Sequence, residues 1–134
     1  MNSKIVGDIS EAAVIAALLK SGFNVLIPFG DRNRYDVVIE LNGKFERIQI
    51  KTGREVGGVI VYNTSSSTRV LGQRTEKGYR GQIEKFAVYH RERDVVYMVP
   101  VELSADGKGS LRLSRNSTRG PRPQYADDFI LKGC

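Results

Sequence analysis

Apolar and polar positions alternate through RYDVVIEL and KFERIQIK, two runs separated by Asn42-Gly43. Both turn residues tolerate the positive φ of a type I′ turn, so the pattern predicts a tight β-hairpin with strands at Tyr35 to Leu41 and Lys44 to Lys51. Upstream, AAVIAALLK is apolar on nearly every side and reads as a helix over Asp8 to Lys20, buried or at a subunit contact. Asp8 as N-cap with Glu11 three residues later has the spacing of a capping box, and Gly22 ends the helix. NVLIP, Asn24 to Pro28, predicts a short strand with a central place in the sheet.

Downstream, Gly57-Gly58 precedes a strand at Val59 to Tyr62. Asn63 to Gly78 has no period and is rich in Ser, Thr and charge, which predicts a mobile surface loop. FAVYH and VVYMVPV, joined by a turn at Arg91 to Arg93, predict two more strands, with Phe86, Val88, Val96 and Met98 as core and sheet-face residues. A turn at Ala105 to Ser110, a strand at Leu111 to Leu113 and a helix within QYADDFILK complete the chain, with no internal repeat or heptad. The expected fold class is α/β: one domain over residues 1–134, a mixed sheet of four to six strands, the first helix on one face and a short C-terminal helix.

Composition narrows the chemistry. The chain is 40% hydrophobic and 27% charged, as soluble globular proteins are, and no apolar run approaches the roughly 18 residues of a membrane span. With no secretory signal and Cys134 as the sole cysteine, the expected location is cytoplasmic. A cysteine zinc cluster is excluded. His90 is the only histidine, which argues against a histidine metal site or a Ser-His-Asp triad and predicts a surface residue beside a turn. The net charge of +6 points to a polyanionic partner, nucleic acid first, or else serves solubility alone.

The hairpin carries the candidate chemistry. If Leu41 pairs with Lys44, counting back sets Asp36 opposite Gln49, with side chains about 5 Å apart at Cβ and Lys51 two residues on along the same face. Two oxygen ligands beside an ammonium suit Mg²⁺ near a phosphate; an ordinary half-exposed hairpin would carry the same residues. Arg32 and Arg34 just before the hairpin are candidate phosphate clamps, as are Arg54 after it, Arg69, Arg74 and Lys77 in the loop, and Arg115, Arg119 and Arg122 near the end. Solvated turns explain any one of them equally well. Glu11 has a plain reading as a capping carboxylate.

Asp36 followed by Gln49-Ile50-Lys51 resembles the PD-(D/E)XK nuclease superfamily, with Tyr35 where Pro is usual and Gln49 in place of the second acid. That Gln resembles the intron-encoded homing endonuclease branch, and the likeness runs from about Gly7 to Val101, including YRGQIEKFAVYHRERDVVYMVPV, where Tyr79 and Gln82 approach the site. The early-helix Glu11 resembles both that branch and the archaeal Holliday junction resolvases. The resemblance implies a restriction-endonuclease-like fold and a Mg²⁺-dependent endodeoxyribonuclease, with Mn²⁺ as substitute. It places the metal on Glu11, Asp36, Gln49 and the carbonyl of Ile50, and gives Lys51 the support of water or phosphate. Cutting two strands with one small site calls for a homodimer or higher even oligomer. Without a visible base-reading element, branched DNA of the Holliday junction type is the first expectation. Site-specific homing cleavage of duplex is the alternative, and a non-catalytic nucleic-acid-binding protein is the reading from another class.

Overall fold

Asn2 starts the first helix: its side-chain oxygen accepts the Ile5 N–H at 2.9 Å, and α1 runs Ser3–Lys20. The cap is therefore Asn2 rather than Asp8, because the chain can turn helical as soon as one side chain satisfies a free amide at its start. At the other end Gly22 has φ of 93°, its N–H bonds Leu19 and that of Phe23 bonds Leu18, which closes the helix as Gly22 predicts. Ser10, Val14 and Leu18 form the buried stripe, while Ile5 and Leu19 face out, so α1 buries one side and not all of itself. A computed structural model describes residues 2–105, 107–115 and 123–131, without the side chains of 67–70 and 74–77. Arg119 and Arg122 lie outside the described residues.

Beyond α1, β1 (Asn24–Leu26) pairs only with β2 (Val37–Leu41). The NVLIP strand thus lies at the sheet edge and not at its centre, as suits a segment closed by Pro28, whose missing N–H an edge tolerates. Asn42 and Gly43 have φ of 53° and 81°, and the hairpin to β3 (Lys44–Val56) has the expected register, Leu41↔Lys44 to Val37↔Ile48. β3 outruns its expected end at Lys51 because new partners take over. β4 (Val59–Asn63) folds back on residues 54–56 across Gly57-Gly58. The segment expected as a mobile loop is instead a second hairpin, β5 (Ser65–Val70) and β6 (Gln73–Gly78), forming a two-stranded sheet of its own. Its sequence lacks an apolar alternation, so periodicity could not announce it.

β7 (Lys85–His90) lies parallel to β3 from Ile48↔Lys85 to Gly53↔His90, β8 (Val95–Pro100) pairs with β7, and β9 (Lys108–Arg112) pairs with β4. Among the described residues the mixed sheet has seven strands, more than the four to six expected. Residues Ala126–Phe129 form a 3-10 turn in place of the expected last helix, held between bridges at Tyr125 and Ile130. Among the described residues α1 is the one α-helix, and no described helix is long and apolar enough to cross a membrane.

β7 divides two cores. Ala87 and Tyr89 face α1 with Val14, Leu18, Ile39 and Ile48, while Phe86 and Val88 face away with Ile60, Tyr62, Tyr79 and Leu111. Burying a Leu or Phe fully contributes about 1.5–3 kcal/mol, so a strand apolar on both faces holds the two layers together. His90, expected at the surface, is fully buried at the end of this strand, with Nε2 3.3 Å from both Glu55 and Glu92. It continues a strand covered on both sides and is not part of the turn that follows.

Gly53 sits where β3 passes between β4 and β7. A Cβ there would stand 2.7 Å from Ile60 Cγ2 and 2.8 Å from Val88 Cγ1. Gly53→Ala is therefore expected to destabilise by about 1–3 kcal/mol, read as a lower midpoint in denaturant unfolding. An unchanged midpoint would show that Ile60 and Val88 give way here at little cost.

Candidate active site

The β2–β3 ladder ends at Val37↔Ile48, and Asp36 lies one step beyond it. Its N–H donates to Ile48 O at 2.8 Å, and its carboxylate Oδ2 accepts the Ile50 N–H at 2.8 Å. The side chain thus takes a backbone donor that the departing strand no longer meets. N–H and C=O of one strand residue point to the same edge, so the Ile50 carbonyl opens on the side of Asp36.

Gln49 and Lys51, two apart on β3, share a face. Gln49 Nε2 donates to Arg34 O at 2.8 Å and to the Tyr79 hydroxyl at 3.3 Å. Because Arg34 O can only accept, the nitrogen must face it, which leaves Gln49 Oε1 as the acceptor for a ligand. Lys51 Nζ donates to the same hydroxyl at 3.2 Å.

Glu11 reaches the site from α1. It stands roughly two and a half turns into the helix, too far along for the capping role its spacing from Asp8 suggested. Instead Glu11 and Asp36 line one pocket of about 270 Å³ with Ile27, Pro28, Gly30, Asp31, Asn33 and Tyr35. Burial raises the Glu11 carboxyl above its ordinary value, and the charges of Asp36 and then Asp8 add to it. Burial also raises Asp36, opposed by the Ile50 N–H and then the charge of Lys51.

Two carboxylates whose ionisation burial opposes form a donor set suited to a hard divalent cation. No group of three His, Cys, Asp or Glu side chains gathers among the described residues, so Gln49 Oε1 and the Ile50 carbonyl would complete the set as neutral oxygens. The residues fit Mg²⁺ on this chemistry, with one negative charge fewer than two acids on the hairpin would provide.

The arginines separate. Arg32 is exposed in the loop before the site. Arg34 is engaged inside the protein: its guanidinium donates to Ser66 Oγ and Gly78 O, each at 2.9 Å, and stacks 4.1 Å from the centre of the Tyr79 ring. It fastens the base of the β5–β6 hairpin. Arg69 and Arg74 are register partners on that hairpin, which also carries Lys77. Arg54 lines an open groove of about 910 Å³ that runs from Lys51 and Thr52 to Asn63 and Lys108; Lys108 and Asn63 gave no sign of this in the sequence. Arg115 is engaged with Asp128 at 2.5 Å and with the Tyr125 ring. Tyr79 does approach the site, while the Gln82 N–H closes a turn on Tyr79 O at 2.9 Å.

Against known proteins, a family model described as PD-(D/E)XK endonuclease matches residues 1–132. The solved structure of a bacterial homing endonuclease, I-Ssp6803I, superposes with a TM-score of 0.80 at 27% identity, covering 97% of this chain and 89% of that one. Curated protein sequences give no match. With the family matched along almost the whole chain and the fold shared with a bacterial homing endonuclease, this chain belongs to the PD-(D/E)XK endonuclease family.

Proposed function

We propose that this protein is a metal-dependent endonuclease that hydrolyses phosphodiester bonds of duplex DNA in the manner of a homing enzyme, acting as a two-fold dimer. The observation that carries the chemistry is the convergence of Glu11 and Asp36 on one pocket beside a tethered Lys51. Glu11, Asp36, Gln49 Oε1 and the Ile50 carbonyl would hold Mg²⁺, or Mn²⁺ in its place. When bound, such an ion supplies Lewis acidity toward the phosphate and lowers the pKa of water. Asp36, fixed by the Ile50 N–H, orients the pocket against β3, and Glu11 closes it from α1. Lys51 stands beside Asp36 with its charge available to the phosphate or to the attacking water.

The choice of duplex over branched DNA is supported by the β5–β6 hairpin. A two-stranded ribbon can enter the major groove of B-DNA, and this one carries Gln73, Arg69, Arg74 and Lys77 and is fastened next to the site by Arg34. It is a candidate base-reading element that the sequence alone did not reveal. The likeness to a homing endonuclease along both chains favours the same choice. Arg32 and Arg54 stand exposed and would contact phosphates.

Plasmid cleavage with and without Mg²⁺ tests the activity, and supplying a four-way junction beside linear duplex tests the substrate. Cleavage confined to the junction would overturn the duplex reading. Asp36→Asn should lower the rate by roughly a thousand-fold or more while duplex affinity stays within a few fold. Burial disfavours the ionised Asp36, so its raised pKa weakens folding as pH rises through that value. The variant should therefore match or exceed wild-type thermal stability at pH 7 without metal. A lower melting temperature would make Asp36 a structural residue.

Protonated carboxyls cannot serve as ligands, and both are raised. The acid limb of the rate profile should accordingly lie above the ordinary carboxyl range and move to lower pH as Mg²⁺ increases, since metal and proton compete. A limb that ignores Mg²⁺ would remove these groups from the metal site.

Gln49→Glu adds a negative charge but loses the Nε2 donor that Arg34 O and Tyr79 accept. Saturation at lower Mg²⁺ with a reduced maximal rate is expected in titrations of cleavage. The same Mg²⁺ dependence in both proteins would show that Gln49 does not face the ion.

A further inference from the structure

Tyr79 stands outside the Asp36, Gln49, Lys51 pattern yet touches two of its members through one atom. Its hydroxyl oxygen lies 3.2 Å from Lys51 Nζ and 3.3 Å from Gln49 Nε2. An ammonium and an amide nitrogen have only hydrogens to offer, so the phenol oxygen accepts from both, and its two lone pairs are used on the catalytic strand.

That oxygen is rigidly placed. The ring is 4% exposed and packs edge-to-face on Phe86, with centroids 5.5 Å apart and an angle of 85°. The Arg34 guanidinium covers one face at 4.1 Å. The segment that follows is locked to β3, since Arg47 N–H donates to Glu84 Oε1 at 2.6 Å and Glu84 N–H to Arg47 O at 3.0 Å.

We infer that Tyr79 is the positioning residue of this site: a single neutral oxygen that sets where the Lys51 ammonium and the Gln49 amide stand. Neutrality is the point of the arrangement. A carboxylate holding Lys51 would cancel the charge that a phosphate needs, whereas a hydroxyl and the nearby ring, 4.9 Å from Nζ at its centre, direct the ammonium and leave its charge intact. Nε2 held by Tyr79 and Arg34 also keeps Gln49 Oε1 turned the other way. The kinetic part of this inference rests on the nuclease reading; the geometric part does not.

Tyr79→Phe keeps the ring, the Phe86 contact and the Arg34 stack, and removes only the oxygen. Loss of a hydrogen bond to a charged group corresponds to roughly ten-fold to a hundred-fold. The expected result is a fall of that size in kcat on duplex DNA, with KM and melting temperature unchanged. An unchanged kcat, or a loss that appears in KM or in melting temperature instead, would overturn the inference.

A second measurement needs no cleavage. In ¹⁵N-labelled protein the Gln49 side-chain amide should exchange slowly with solvent, and Tyr79→Phe should shift its resonance and speed exchange of one of its two protons several-fold, roughly as expected for one lost hydrogen bond. An amide unmoved by the substitution overturns the positioning role. If the wild type cuts no DNA under any condition, the nuclease reading fails, and the amide still decides the role of Tyr79.

Discussion

Backbone donors and acceptors inside a sheet need partners, and in this protein that demand falls on β3. The strand is 13 residues long and changes neighbours as it goes: β2 from Lys44 to Ile48, β7 from Ile48 to Gly53, β4 from Arg54 to Val56. Where β2 ends, the Ile50 N–H is taken by the Asp36 carboxylate. Completing the strand and fixing the Asp36 carboxylate in the pocket are one act. Gly53 follows at once, because the crossing from β7 to β4 leaves no room for a side chain.

Around that junction the parts divide by cost. The pocket gathers two carboxylates whose ionisation burial opposes, with the charge of Asp36 adding to the effect at Glu11, an arrangement that a fold optimised for stability alone would avoid. Its support comes from the two cores on either side of β7, which hold α1 and the Tyr79 segment against the sheet without contributing chemistry. Lys51 and Gln49 lean toward the Tyr79 side, Glu11 toward the α1 side, and Asp36 joins the two.

The basic residues that suggested a nucleic acid partner do not form one class. Arg34 and Arg115 are structural ties, one to the β5–β6 hairpin and one to the C-terminal segment. Arg32 and Arg54 remain exposed, flanking the site from its loop and its strand. A positive net charge alone could not separate the two groups, since a guanidinium suits a backbone carbonyl or an aromatic ring as well as a phosphate.

Local chemistry made the central hairpin, its Asn42-Gly43 turn and its register readable from the residues, because a two-residue turn with positive φ at both positions permits few alternatives. The end of α1 at Gly22 and the strands around Phe86 and Val96 were readable for similar reasons of backbone freedom and apolar runs. Counting the register brought Asp36, Gln49 and Lys51 near one another, but the arrival of Glu11 could not be derived from spacing. The Asn2 cap is local, whereas only the tertiary structure decided that Glu11 enters the pocket. It also decided that His90 is interior, that NVLIP is an edge, that Ser65 to Gly78 pairs with itself, and that Tyr79 reaches across 28 residues to Lys51. Each depends on which segments pack together over long separations, and the period of a single strand or helix carries no record of its neighbours.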